Sequence, residues 1–147
     1  MELGASRDIA RPAGEVFGFV ADSSNNPLWQ KGQTSCIWTS PPPIGVGSTY
    51  DQEARFLGRT VRNTFEVVEF DPGHSITIRS IAGTFPITVR RTVEELGPTS
   101  SRVTAEIRGE PGSVFRVAGP LLRRMAQRSV DADYDRLQRL LDSKQIG

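Results

Sequence analysis

Apolar and polar side chains alternate with a period of two along most of this chain, and the period lengthens to about 3.6 over its last part. The first spacing buries one face of a strand, and the second lays an apolar stripe along a helix. Seven stretches carry the strand period: Leu3 to Ala10, Thr34 to Thr39, Ser48 to Leu57, Thr60 to Phe70, Ser75 to Ile81, Thr84 to Leu96 and Ser101 to Arg108. Tyr50, Gln52, Ala54 and Phe56 share one face, as do Val61, Asn63, Phe65 and Val67. Ile76 and Ile78, then Phe85, Ile87, Val89 and Val93, then Val103, Ala105 and Ile107 continue the pattern. Gly58-Arg59, Asp71-Pro72-Gly73, Gly83 and Gly97-Pro98 punctuate it. In Asp-Pro-Gly the proline presets φ and the glycine accepts a positive φ. Short alternating strands joined by such turns predict an antiparallel meander with one wet face.

Helical spacing appears twice. After the first strand, Pro12 suits a first helical position, and Val16, Phe17 and Val20 follow at helical intervals to about Ala21. Asp22 or Ser23 then caps a second short helix that ends at Lys31-Gly32. A long terminal helix is predicted from about Gly112 to Ser143, capped by Ser113 and kinked or restarted at Pro120. Its apolar stripe reads through Val114, Ala118, Leu121, Leu122, Met125, Ser129, Ala132 and Leu140, with Val130, Leu137 and Leu141 beside it. That stripe needs a surface to bury it, and the concave face of the sheet supplies one. A sheet wrapped around a helix leaves a cleft, and one lined by Phe, Ile and Val suits an apolar small molecule.

One segment carries more than periodicity. Ile9-Ala10-Arg11-Pro12-Ala13-Gly14-Glu15-Val16-Phe17 runs through Val20-Ala21-Asp22 to Pro27-Leu28-Trp29, and the chain later adds the Asp71-Pro72-Gly73 turn and the hairpin entering Ser101-Arg102-Val103-Thr104. With the order strand, two short helices, six strands, long helix, this resembles the START-like helix-grip (SRPBCC) superfamily, in its polyketide cyclase/dehydrase and lipid-transport branch. The resemblance covers nearly the whole chain. It implies an α+β helix-grip fold, with a curved antiparallel sheet of about seven strands around the C-terminal helix and a deep apolar cavity between them. The motif is structural and is shared by binders and enzymes, so it implies no particular reaction.

The 147 residues suit a single domain, 1–147, large enough for a core with volume to spare. Eighteen basic and seventeen acidic residues leave a formal charge of +1, with no whole-molecule pull toward nucleic acid. The single cysteine, Cys36, cannot form an internal disulfide, and a buried, unreactive thiol is expected. The N-terminus does not read as a signal peptide, and no apolar run approaches the ~20 residues of a membrane span. These readings together point to a cytoplasmic protein, monomeric or weakly dimeric. His74 is the only histidine and follows Asp71-Pro72-Gly73 in a turn, where a solvated side chain is expected. No metal cluster and no phosphate-binding glycine loop is present, so neither metal nor nucleotide cofactor is expected. Arg116, Arg123, Arg124 and Arg128 read as a solvated helix face balanced by Asp131, Asp133 and Asp135, with docking to a membrane surface or acidic partner as the alternative.

Gln52 and Asn63 fall in the apolar phase of strands joined at Gly58, so their amides can face one space. A buried amide needs partners, whether protein, water or ligand. Arg91 continues the phase of Ile87 and Val89. It either meets a ligand carboxylate or phenolate or snorkels to the cavity rim, and the rim is the expectation for arginine. Trp29 is expected to close one end of the barrel with its indole N–H on a backbone carbonyl. The candidate ligand-binding residues are therefore Tyr50, Gln52, Phe56, Asn63, Phe65, Ile78, Phe85, Ile87, Arg91, Leu122 and Met125. No catalytic residue is assigned. The leading reading is a carrier, sensor or sequestering protein for an apolar molecule such as a lipid, a quinone or a polyketide-like aromatic. A cyclase/dehydratase or hydrolase acting on such a molecule is the alternative, and a protein-interaction module is the third.

Overall fold

The computed structural model describes residues 2–56, 58–83, 86–109 and 119–143, with Phe56 described by its backbone. Strand β1 (Glu2–Ile9) leads into helix α1 (Ala13–Ala21), a 3₁₀ turn (Ser23–Asn25) and the short helix α2 (Asn26–Trp29). Then come β2 (Gln33–Trp38), β3 (Thr49–Phe56), β4 (Arg59–Asp71), β5 (Ser75–Gly83), β6 (Ile87–Gly97) and β7 (Ser100–Gly109), and the C-terminal helix α3 (Gly119–Ser143). The strands form one antiparallel sheet in the order β1-β7-β6-β5-β4-β3-β2. This is the α+β helix-grip arrangement: a curled sheet, two short helices after the first strand and a long helix on the concave side. The expected helix start at Gly112 and its cap at Ser113 lie outside the described residues.

Alternation decides which side chains face inward. Along β4, Val61, Asn63, Phe65 and Val67 are buried and their neighbours are not. Along β6 the buried set is Val89, Arg91 and Val93, and along β7 it is Ser101, Val103 and Ala105. Register aligns these sets, with Tyr50 opposite Phe65, Gln52 opposite Asn63, and Arg91 between Ile76 and Ala105. Helix α1 begins where expected: Pro12 precedes it and its carbonyl accepts from Glu15 N (3.1 Å) and Val16 N (3.2 Å). It buries Val16, Phe17, Val20 and Ala21 against β6 and β7.

Helix α3 departs from expectation. Its buried residues are Leu122, Tyr134, Leu137 and Leu141, with Ala126 and Val130 partly buried on the same side. Leu121 is 64% exposed, and Met125, at 44%, also faces out. The stripe thus runs 122-126-130-134-137-141 and is turned away from the expected one. The cause is the neighbouring face of the helix, which docks on β1. Gln127 Nε2 donates to Gly4 O (2.8 Å), Gln138 Nε2 to Asp8 O (2.7 Å) and Ala10 N to Asp142 Oδ1 (2.8 Å). Arg7 Nε donates to Asp135 Oδ1 (2.9 Å), and Arg11 Nε to the Leu141 carbonyl (2.9 Å). Asp131 and Asp135, read as balancing charges in solvent, are therefore docking groups. Pro120 is the second described residue of this helix, and the residues before Gly119, on which the expected kink or restart depends, lie outside the described residues.

Replacing Leu137, fully buried, with Ala should destabilise the protein by about 2–5 kcal/mol, whereas Leu121→Ala should change stability by less than about 0.5 kcal/mol. Denaturant unfolding of the two variants checks the stripe, and equal losses would restore the sequence-based face. Gly83 pairs with Asn63 at φ +125°, and a Cβ there would sit 2.7 Å from Asn63 Cα. Gly83→Ala should accordingly cost about 1–3 kcal/mol by the same measurement.

Candidate functional site

The concave face does not close completely on α3. A cavity of about 300 Å³ remains between them, at the small end of ligand-site volumes of roughly 300–1,000 Å³. Its walls are apolar: Phe65 from β4, Ile78 from β5, Ile87 and Val89 from β6, Ile107 from β7, and Ala126 and Val130 from α3. Exposed Gly32, Arg55, Pro86 and Ser129 mark its outer end. Buried Asn26, Tyr50, Arg91 and Tyr134 mark its inner end.

The inner end is built by helix α2 and the middle of the sheet. Trp29, 1% exposed, closes the barrel and meets the Tyr134 ring edge-on at 4.9 Å. Its indole N–H has no acceptor among the described residues, contrary to expectation. Tyr50 stacks on Phe65 at 5.2 Å and receives Trp38 edge-on at 5.1 Å. Arg91 is 6% exposed and lies in the interior, not at the rim. Its Nε donates to Tyr134 Oη at 2.9 Å, and its guanidinium carbon lies 5.3 Å from the Trp29 ring centroid. That cation–π contact and the phenol let the charge tolerate its setting better than aliphatic walls alone would. Burial works against the charge, yet the phenol oxygens of Tyr134 and Tyr50 more than offset this, and the pKa lies above the usual arginine value.

Burial raises the Tyr50 pKa well above the usual phenol range, although the Arg91 charge pulls it down, so Tyr50 stays protonated. Its hydroxyl faces Ser23 but forms no well-aligned hydrogen bond among the described residues. The Asn26 amide, which lies near the Cys36 thiol, and Gln30 Nε2 are likewise buried with no well-aligned hydrogen bond at the Asn26 nitrogen and oxygen or at Nε2 among the described residues. Cys36, buried on β2, donates from Sγ to Gln33 Oε1 at 2.9 Å, and burial pushes its pKa up to about 11. Asp133 is the one carboxylate among the described lining residues. Burial raises its pKa, while Lys31 N (3.2 Å) and Arg136 donate to it.

Tyr50, Gln52, Asn63, Phe65, Ile78, Ile87 and Arg91 all line the cavity. Gln52 and Asn63 are direct cross-strand partners, so their amides do share one wall. Leu122 is buried but does not line the cavity, and Met125 is exposed and does not line it either, because the helix is rotated by its docking on β1. Phe85 and the Phe56 side chain lie outside the described residues. The sequence reading missed Asn26, Gln30, Asp133 and Tyr134. Tyr134 carried a signal, since it stands four residues after Val130 and three before Leu137. Asn26 carried none beyond its place beside Pro27. His74 is exposed in its turn. Among the described residues no group of three or more His, Cys, Asp or Glu is placed to hold a metal, and no helix is long and apolar enough to cross a membrane.

A search of curated proteins by sequence gives no match. Among solved structures, TTHA0849 of Thermus thermophilus superposes with a TM-score of 0.81 at 20% identity, over 96% of this chain and 97% of that one. The ZhuI aromatase/cyclase of a Streptomyces species gives 0.72 at 14% identity, over 94% and 91%. A START superfamily protein of Mycobacterium smegmatis gives 0.68 at 19% identity, over 92% and 98%. At these identities the likeness is one of fold. The family model for polyketide cyclase/dehydrase and lipid transport matches residues 2–142, and the chain therefore belongs to that family.

Proposed function

We propose that this protein binds an apolar small molecule in the cavity between the sheet and α3, as a carrier, sensor or sequestering protein. The observation that carries this reading is the cavity itself: apolar walls, an exposed outer end, and polar groups gathered at the inner end. Few polar groups at one end of an apolar cleft orient a ligand without demanding that it react. The family description, which joins cyclases with lipid transport, accommodates the reading. A lipid, a quinone or a polyketide-like aromatic fits those walls.

A second reading rests on one pair. Tyr50 and Arg91 meet at the inner end, where a phenol and a guanidinium can polarise a ligand carbonyl, as a cyclase or dehydratase would require. The phenol's raised pKa keeps its proton in place near neutral pH, which favours hydrogen bonding over proton transfer. Binding is therefore the primary reading.

The neutral fluorescent probe N-phenyl-1-naphthylamine should bind wild-type protein saturably, with a blue-shifted emission. Ile87→Trp, which places a larger ring in the cavity wall, should abolish that binding while leaving the circular dichroism spectrum and thermal transition intact. Probe binding that ignores this substitution would place the ligand elsewhere.

A further inference from the structure

We propose that the ligand carries a carboxylate, held at the inner end of the cavity by Arg91 with Asn26 and Tyr50. The inference deepens the binding reading above and rests on it.

Arg91 stands on the concave face of β6, between Ile76 (2% exposed) and Ala105 (1%) in register. A guanidinium carries N–H donors on Nε, Nη1 and Nη2. Nε is used by Tyr134 Oη, and the ring of Trp29 covers one face. Nη1 and Nη2 donate to no described residue, and no described carboxylate pairs with Arg91. Two other arginines at α3 are treated differently. Arg7 pairs with Asp135, and Arg136 with Asp133. Asp133, the carboxylate that lines the same cavity, is taken by Arg136 and Lys31 N. The buried positive charge of Arg91 has phenols and an indole face for company, and no anion among the described residues.

The neighbouring polar groups point the same way. Asn26 is 1% exposed and Tyr50 fully buried, both line the cavity, and although the Asn26 amide lies near the Cys36 thiol and the Tyr50 hydroxyl near Ser23, neither forms a well-aligned hydrogen bond among the described residues. Together with Nη1 and Nη2 they form a donor-rich end, with few acceptors. A group that satisfies such an end must accept several hydrogen bonds and bring negative charge. A carboxylate does both, and its two oxygens match the fork of a guanidinium. A neutral carbonyl or hydroxyl would leave the charge uncompensated. The apolar body then runs outward along Phe65, Ile78 and Ile87.

The test is displacement of N-phenyl-1-naphthylamine by 2-naphthoate and by its methyl ester, which share one ring system and differ in charge. Wild-type protein should bind the acid roughly 30-fold or more tightly than the ester, the loss expected when a buried charge is left without its partner. Arg91→Met should erase that preference by weakening the acid while leaving the ester nearly unchanged. Thermal unfolding of the variant confirms its fold, and the wild-type ratio stands by itself if the variant does not fold. Equal affinity for acid and ester in the wild type, or a preference that survives Arg91→Met, overturns the carboxylate and leaves the cavity reading standing. Failure of the neutral probe and of both naphthalenes to bind overturns the cavity reading and this inference with it.

Discussion

An edge strand exposes a row of backbone N–H and C=O groups, and in β1 those groups meet the C-terminal helix instead of another strand. Gln127 bonds both the N–H (3.3 Å) and the C=O (2.8 Å) of Gly4, and Gln138 and Asp142 take up Asp8 O and Ala10 N. The groups involved belong to alternate residues, the ones that point away from β7. They repeat at about 6.8 Å, and the helix side chains that reach them, at 127, 138 and 142, are about three turns and then one turn apart. The Arg7–Asp135 and Arg11–Leu141 bonds fix the rotation. On its other flank α3 is held to α2 and the turn after it, through Asp133 to Lys31 N and through Arg136 Nε to Trp29 O at 3.1 Å. The helix is thus a bridge tied on both sides of the open sheet. A bridge fixed by its flanks cannot sink into the concave face wherever side chains are small, and the cavity is the space it leaves.

That constraint explains what could be read from the sequence and what could not. The strands were legible because period-two alternation between turn residues has one solution, and a slip of one residue would put Phe65 or Val89 in water. The order of the elements, with the segment from Ile9 to Trp29, pointed to the family. The helix face was not legible from apolar residues alone. Leu121, Leu122 and Met125 make a plausible stripe at 100° per residue, and so do Leu122, Val130, Leu137 and Leu141. The choice between them belongs to the polar positions 127, 131, 135, 138 and 142, whose helical spacing becomes informative only once β1 is known to be the strand they dock on. Reading acidic residues as solvated hid that pattern.

The inner end of the cavity escaped for a related reason. Gln52, Asn63 and Arg91 announced themselves as polar residues in an apolar phase. Asn26 and Trp29 come from a four-residue helix with no periodicity to read, and their burial follows from packing against β2 and α3. Arg91 was expected at the rim because arginine usually reaches water. It does not, because β6 is central in the sheet and Tyr134, from the rotated helix, receives its Nε.

Local rules and global fold agree almost everywhere in this protein, and they part company in one place. Around α3 the described aspartates find partners in arginine side chains or backbone N–H groups, and the apolar face of every strand is filled by apolar side chains apart from a few positions. At the inner end, a guanidinium, a phenol and two amides are buried together with several of their polar atoms unmatched among the described residues. Stability does not ask for this. Buried ionic groups can often be replaced by apolar residues of similar volume at no cost to the fold, sometimes with a gain. A methionine at position 91 would satisfy Ile76, Ala105 and Trp29 as well as the stem of the arginine does. Disagreements between local preference and fold collect at sites that do something other than hold the protein together. Here the disagreement lies at the closed end of an apolar cavity, and its chemistry is that of hydrogen-bond donors and positive charge.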